Sequence, residues 1–147
     1  MWLGESIENR RFIERADDLR HTPAAVRFIS AEPLLGPLIE PADGWEDPNL
    51  GCDDHAGSGL SLARIDWLIV GGESGPHHRP MCPDWVRDLR DATRRWADAE
   101  VTQLPGRHCA FFSKQWDGRT PKAGGRLLDG RTWDELPAVA HRALATV

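Results

Sequence analysis

A chain of 147 residues with 40% hydrophobic content is long enough for one domain with a buried core. Its apolar runs fall well short of the ~20 residues of a membrane-spanning helix, and its net charge of −5 gives no general attraction to nucleic acid or anionic membrane. The three cysteines, Cys52, Cys82 and Cys109, are odd in number and widely spaced. That argues against a disulfide scaffold, and without a basic-then-apolar leader before Trp2 a cytoplasmic location is expected.

Four short apolar runs each end in polar, chemistry-capable residues. Trp2-Leu3-Gly4 leads into Glu5-Ser6-Ile7-Glu8-Asn9, and Val26-Arg27-Phe28-Ile29-Ser30 into Ala31-Glu32-Pro33. Ile65-Asp66-Trp67-Leu68-Ile69-Val70 leads into Gly71-Gly72-Glu73-Ser74-Gly75, and Cys109-Ala110-Phe111-Phe112-Ser113 into Lys114-Gln115-Trp116. Each run has strand length and composition.

Between the first two, Phe12, Ala16 and Leu19 recur at helical spacing, predicting an amphipathic helix of about three turns. Thr22-Pro23 ends it, because the residue before proline is pushed out of the α region. Residues from about 38 to 62 are rich in Pro, Gly and Asp without a sustained period, and read as an irregular insertion. A second helix starts near Pro83 and Asp84, with Trp85, Leu89, Ala92 and Trp96 on one face. On its other face Arg87–Asp91 and Asp91–Arg95 stand at pairing distance, and Arg90, Arg94 and Arg95 read as a solvated face rather than a nucleic-acid site. From about residue 117 to 147 the chain reads as turns and a short helix, with Thr132 and Glu135 in capping-box positions and Pro137 ending it. The alternation β-α-β-insertion-β-α-β predicts one α/β domain over 1–147 with a parallel sheet of about four strands.

In parallel α/β folds, ligands gather at the carboxyl ends of strands. Glu8, Glu32, Glu73 and Lys114 are thereby expected on one rim, with Gly71, Gly72 and Ser74 beside them. Two glycines after a buried strand admit close backbone approach, and their N–H groups can form an anion nest; a tight turn with a solvated Glu73 is the equal alternative. Glu32 can serve as base, metal ligand or substrate anchor, or pair with Arg27 or Lys114. Lys114 emerges from an apolar strand and is either bridged to a glutamate or available to an anion. Asn9 is a good helix cap. Cys82 with His77 and His78, and Cys52 with His55, lack zinc-site spacing; His77 and His78 read as a polar lip. Neither a nucleophile elbow nor a phosphate-binding loop occurs.

These segments resemble a known family. Trp2-Leu3-Gly4 with Ser6-Ile7-Glu8-Asn9, Thr22-Pro23-Ala24-Ala25-Val26-Arg27-Phe28 and Glu32-Pro33-Leu34-Leu35-Gly36-Pro37 resemble the C-terminal half of the phage- and prophage-associated gene product 37/gene product 68 family. So do Trp67 through Pro76, Phe111-Phe112 with Lys114-Gln115-Trp116, and Leu128-Asp129-Gly130-Arg131-Thr132-Trp133. Its members carry an N-terminal half with a three-cysteine motif like that of radical S-adenosylmethionine enzymes, on a partial or complete β/α barrel. The resemblance implies that Glu8, Glu32, Glu73 and Lys114 line a cofactor or substrate cavity. It also implies S-adenosylmethionine and a 4Fe–4S cluster for an intact member, though not for this chain alone, which lacks the motif. Glu5 stands where relatives carry an apolar residue.

The leading expectation is therefore a half-barrel, completed by an N-terminal half or a partner chain, that is inactive alone. Two other readings stand beside it: a non-catalytic interaction module that completes its fold on a partner or as a dimer, and a divalent-metal hydrolase built on Glu8, Glu32 and Glu73.

Overall fold

The computed structural model describes residues 1–39, 59–98 and 108–138, with the backbone alone for 96–98. Strand β1 (Trp2–Ser6) is followed by a 3-10 turn (Arg10–Phe12), helix α1 (Arg15–His21) and strand β2 (Val26–Ala31). Strand β3 (Trp67–Gly71), helix α2 (Pro83–Asp98) and strand β4 (Ala110–Gln115) complete the order. The four strands form one parallel sheet in the order β1-β2-β3-β4, so the chain is a mixed α/β fold with the four predicted strands and the two predicted helices between them.

Both helices pack against one face of the sheet. Ala16 and Leu19 from α1, and Val86, Leu89 and Ala92 from α2, share a single core with Ile29, Leu68, Val70 and Phe111. Sequentially adjacent parallel strands with crossovers of one hand place their helices on one side, which is the arrangement seen. On the opposite face, register aligns Gly4, Phe28, Trp67 and Ala110 in one row, then Ser6, Ser30, Ile69 and Phe112 in the next. Trp67 is central there, with its ring 6.1 Å from those of Trp2 and Phe28 and 5.9 Å from that of Phe112. Gly4 makes room for this layer, since a Cβ would fall 2.2 Å from the Phe28 ring.

The first helix is shorter than its periodicity predicts. Asn9 caps the 3-10 turn, its Oδ1 accepting from Arg11 N at 3.0 Å. Phe12 stays exposed beneath the Arg15 guanidinium, 4.3 Å away, so only Ala16 and Leu19 are buried on α1. The helix stops at His21, with Thr22 extended ahead of Pro23 as predicted. Arg27, buried in β2, turns toward this helix end, its Nε donating to Leu19 O at 3.2 Å and its Nη2 to Thr22 O at 2.9 Å. A cation at a helix C-terminus is favourable both to the carbonyls and to the dipole.

Along α2 the buried stripe is centred on Val86, Leu89 and Ala92 with Thr93, and Trp85 is only half-buried. The predicted charge pairs are also redirected. Arg87 bonds Asp84 at 2.8 Å and Asp129 at 2.8 Å, while Arg90 bonds Asp91 at 2.8 Å and Asp129 at 2.5 Å. Asp129 is presented by a tight turn in which it and Gly130 take left-handed backbone angles, φ 52° and 80°.

No helix forms at Thr132–Glu135. This stretch instead runs antiparallel beside β4, with Ser113 N donating to Trp133 O at 2.9 Å and Glu135 N to Phe111 O at 3.2 Å. Glu135 Oε2 accepts from Phe111 N at 2.9 Å instead of capping. The exposed N–H groups of the β4 edge demand partners, and the buried Trp133 anchors the segment that supplies them. Its ring lies 5.9 Å from that of Phe111, with the guanidinium of Arg131 at 3.9 Å and that of Arg94 at 4.5 Å. Arg90 and Arg94 therefore clamp the tail rather than merely facing solvent.

The flanks of the predicted insertion belong to the core: Leu38, Leu60 and Leu62 are buried, and Leu60 N donates to Leu38 O at 2.7 Å. Its centre, with Cys52 and His55, lies outside the described residues, as do the Trp96 side chain and residues 139–147 of the predicted turn and short-helix tail. Among the described residues no helix is long and apolar enough to cross a membrane.

Candidate functional site

The four strand ends converge, as their sequence pattern predicts. Leu35 N donates to Glu8 O at 2.8 Å, tying the loop after β2 to the one after β1, and Leu34 N donates to Gly71 O at 2.9 Å. The ends of β3 and β4 are bound more closely. Gly72 N donates to Gln115 O at 2.8 Å, Gln115 Nε2 returns to Gly72 O at 3.2 Å, and Gly118 N reaches Glu73 O at 3.1 Å. Gly72 is required here, because a Cβ would sit 2.2 Å from Asp117 N.

Of the predicted site residues, Glu32 and Lys114 come together. Lys114 Nζ donates to Glu32 Oε1 at 2.7 Å, with 52% and 23% of the two side chains exposed. The pair reaches from the loop after β2 to β4, across the end of β3, above Gly71, where a Cβ would meet the Glu32 carboxyl carbon at 3.1 Å. The Lys114 bridge is the alternative realised; Arg27 is occupied at the other end of its strand by α1.

Glu73 is committed elsewhere. Arg79 grips both its oxygens, Nε to Oε2 at 2.8 Å and Nη2 to Oε1 at 2.9 Å, and adds its backbone N to Oε2 at 2.9 Å. These charge-assisted bonds pull the Glu73 carboxyl down to about 2. Because the folded value lies below the ordinary 4.5, the pair supports the loop fully above that pH and loses its contribution as pH falls toward 2. The Arg79 amide is expected to keep its protection, measured against its intrinsic exchange rate, at pH 4 and to lose it near pH 2; protection already lost at pH 4 would contradict the pairing. Ser74 bridges to Gly118 beside this loop, and Glu8 stands apart, 3.8 Å from Arg15.

Two features of the rim escape sequence reasoning. His78 Nε2 lies 3.6 Å from Asp117 Oδ2, and Asp117 Oδ1 accepts from Met81 N at 3.0 Å, latching the loop after β3 to the one after β4. Asp117 reads only as a turn residue in sequence, and nothing local signals a partner so distant. The half-buried aromatic row below the rim was legible in principle, because Phe28 and Phe112 alternate with core residues along their strands. Arg126 closes over Phe112 at 5.2 Å while donating to Ser113 O at 3.2 Å.

Metal chemistry finds little here. Among the described residues no three His, Cys, Asp or Glu side chains group so as to hold an ion, and Glu8, Glu32 and Glu73 face three different cations. Cys109 is buried just before β4, where desolvation, then Asp66 and Glu135, push its thiol far above the ordinary range. Cys82 is half-buried just before α2.

A protein-family model described as "Protein of unknown function (DUF5131)" matches residues 1–137. No curated protein and no solved structure matches the chain significantly. The matched span contains all four strands, both helices, the Glu32–Lys114 pair and the Trp133 clamp. The chain belongs to the DUF5131 family.

Proposed function

We propose that this chain forms half of a parallel β/α barrel and contributes the Glu32–Lys114 part of its ligand rim to a phage-associated, radical-S-adenosylmethionine-like protein. One observation carries this reading. Helices cover one face of the sheet, while the other presents Trp2, Phe28, Trp67 and Phe112 only partly buried among the described residues. Parallel sheets are normally buried on both faces, and in a closed barrel this second face is the packed interior, with the ligand rim at the strand ends.

The chain by itself does not fit a 4Fe–4S cluster. Such a cluster needs three converging thiolates; Cys109 lies at the opposite end of β4 from the rim and Cys82 precedes α2. The cysteines would have to come from the complementary half, and what these residues offer is a carboxylate and an ammonium for polar groups of a ligand. The same half-covered face supports a second reading, a non-catalytic module completed by a partner.

Sequencing the DNA around the Met1 codon and co-expressing any neighbouring frame with three closely spaced cysteines tests the proposal. A stable complex that takes up iron and sulfide anaerobically is the expected result. A chain that folds as a monomer at every concentration, with no such frame nearby, would overturn it. Folding that depends on concentration without any cysteine-bearing frame would favour the interaction module.

A further inference from the structure

The Glu32–Lys114 pair has unused bonding capacity. Among the described residues Lys114 Nζ meets only Glu32 Oε1, leaving two N–H groups and the second Glu32 oxygen for another partner. Its neighbours differ: both Glu73 oxygens are held by Arg79, and Asp117 is divided between Met81 and His78. An exposed ion pair contributes only ~0–1 kcal/mol, which is a poor reason for ending a strand in Gly71 to clear its path. Glycine in a strand marks a bulge, a bend or a close approach; at Gly71 the β3–β4 register shifts and the Glu32 carboxyl carbon lies 3.1 Å from where a Cβ would stand, so the pair sits directly on the strand end. On this face, two residues back along β3 and β4, Ile69 and Phe112 are paired in register and half-buried; Arg126 covers the Phe112 ring at 5.2 Å, which leaves Ile69 as the apolar floor below the charges.

We propose that this pair is the subsite for a zwitterionic headgroup of the α-amino-acid type, with its carboxylate on Lys114, its ammonium on Glu32 and its apolar body over Ile69. A lone anion must compete with Glu32 for Lys114 and leave a carboxylate without its partner. A lone cation does the same to the ammonium. A zwitterion brings one charge of each sign, so four charges alternate and the existing bridge survives. The inference takes its location from the rim reading above but needs no second half-barrel.

Backbone amide spectra of the full chain, followed at Gly71 and Lys114, test it with L-phenylalanine, hydrocinnamate and phenethylamine, which share a ring and differ in charge. L-phenylalanine is expected to shift both amides and to bind about ten-fold more tightly than either single-charge analogue. Glu32→Gln and Lys114→Met are each expected to weaken it by about ten-fold while the remaining amides hold their positions. Equal binding of the three probes, binding unchanged in both variants, or no shift at tens of millimolar L-phenylalanine would overturn the subsite. S-adenosylmethionine shifting the same amides, with L-phenylalanine weaker, assigns the headgroup to that cofactor; the reverse order assigns it to an amino-acid substrate. Either order supports the subsite. Failure of the half-barrel reading appears separately, as absent complex formation and iron uptake.

Discussion

Replacing Trp133 with alanine is expected to destabilise the fold by about 3–5 kcal/mol, a large part of the ~5–15 kcal/mol that holds a domain together. Trp133 is 4% exposed, packs edge-on against the Phe111 ring, and donates from its indole N–H to Leu128 O at 3.1 Å. Its own carbonyl accepts from Ser113 N. Truncation opens a cavity under β4, removes one of the two donors to Leu128 O, leaving Arg131 N at 3.3 Å, and strips the stacking surface from Arg94 and Arg131. Urea unfolding of this variant beside Leu136→Ala, which removes an exposed side chain, measures the difference. A loss below ~1 kcal/mol, typical of a surface change, would mean that the tail does not lie along β4. Had Thr132 capped a helix, Thr132→Ala would instead be the costly change, at about 1 kcal/mol.

The tail shows where local reasoning ends. Thr132 and Glu135 carry the spacing of a capping box, and the one local signal against a helix is Pro137, which limits its length. The deciding factor is the unpaired edge of β4, which is distant in sequence and takes Glu135 for itself. Arg87 makes the same point: Asp91 is its neighbour by helical spacing, but the turn at Asp129 brings a carboxylate to both Arg87 and Arg90. The strands were legible because their apolar runs are short, β-branched or aromatic, and separated by helical periods or turn residues. Their parallel direction followed from those separations alone, whereas the order β1-β2-β3-β4 is set by the fold. On the rim, Glu32 and Lys114 were legible as residues leaving strands, and so was their bridge. The commitment of Glu73 to Arg79 was not, because a bidentate pair closing a loop on itself has no signature in spacing. The latch from His78 to Asp117 depends on how two loops fold against each other, which no single segment encodes.

Gly72→Ala is expected to be the other severe change, costing about 1–3 kcal/mol and displacing the rim. A Cβ at Gly72 would stand 2.2 Å from Asp117 N and 2.7 Å from both Asp117 Cα and Trp116 C. All three atoms are backbone, so no rotamer change relieves the clash, and β3 and β4 must part where Gly72 N bonds Gln115 O. Gly71→Ala makes the informative contrast. Its nearest obstacles are the side-chain atoms of Glu32, 3.1–3.3 Å away, which can yield by a few tenths of an ångström. Urea unfolding should therefore separate the variants, with Gly71→Ala close to the parent and Gly72→Ala well below it. Amide spectra should separate them by place. Gly72→Ala moves the signals of Gln115 through Gly118, whereas Gly71→Ala moves those near Glu32 and Lys114. Parental stability in Gly72→Ala would mean that the two loops do not meet backbone to backbone. The adjacent glycines thus divide the work: Gly72 holds the scaffold of the rim together, and Gly71 leaves room for the Glu32–Lys114 pair.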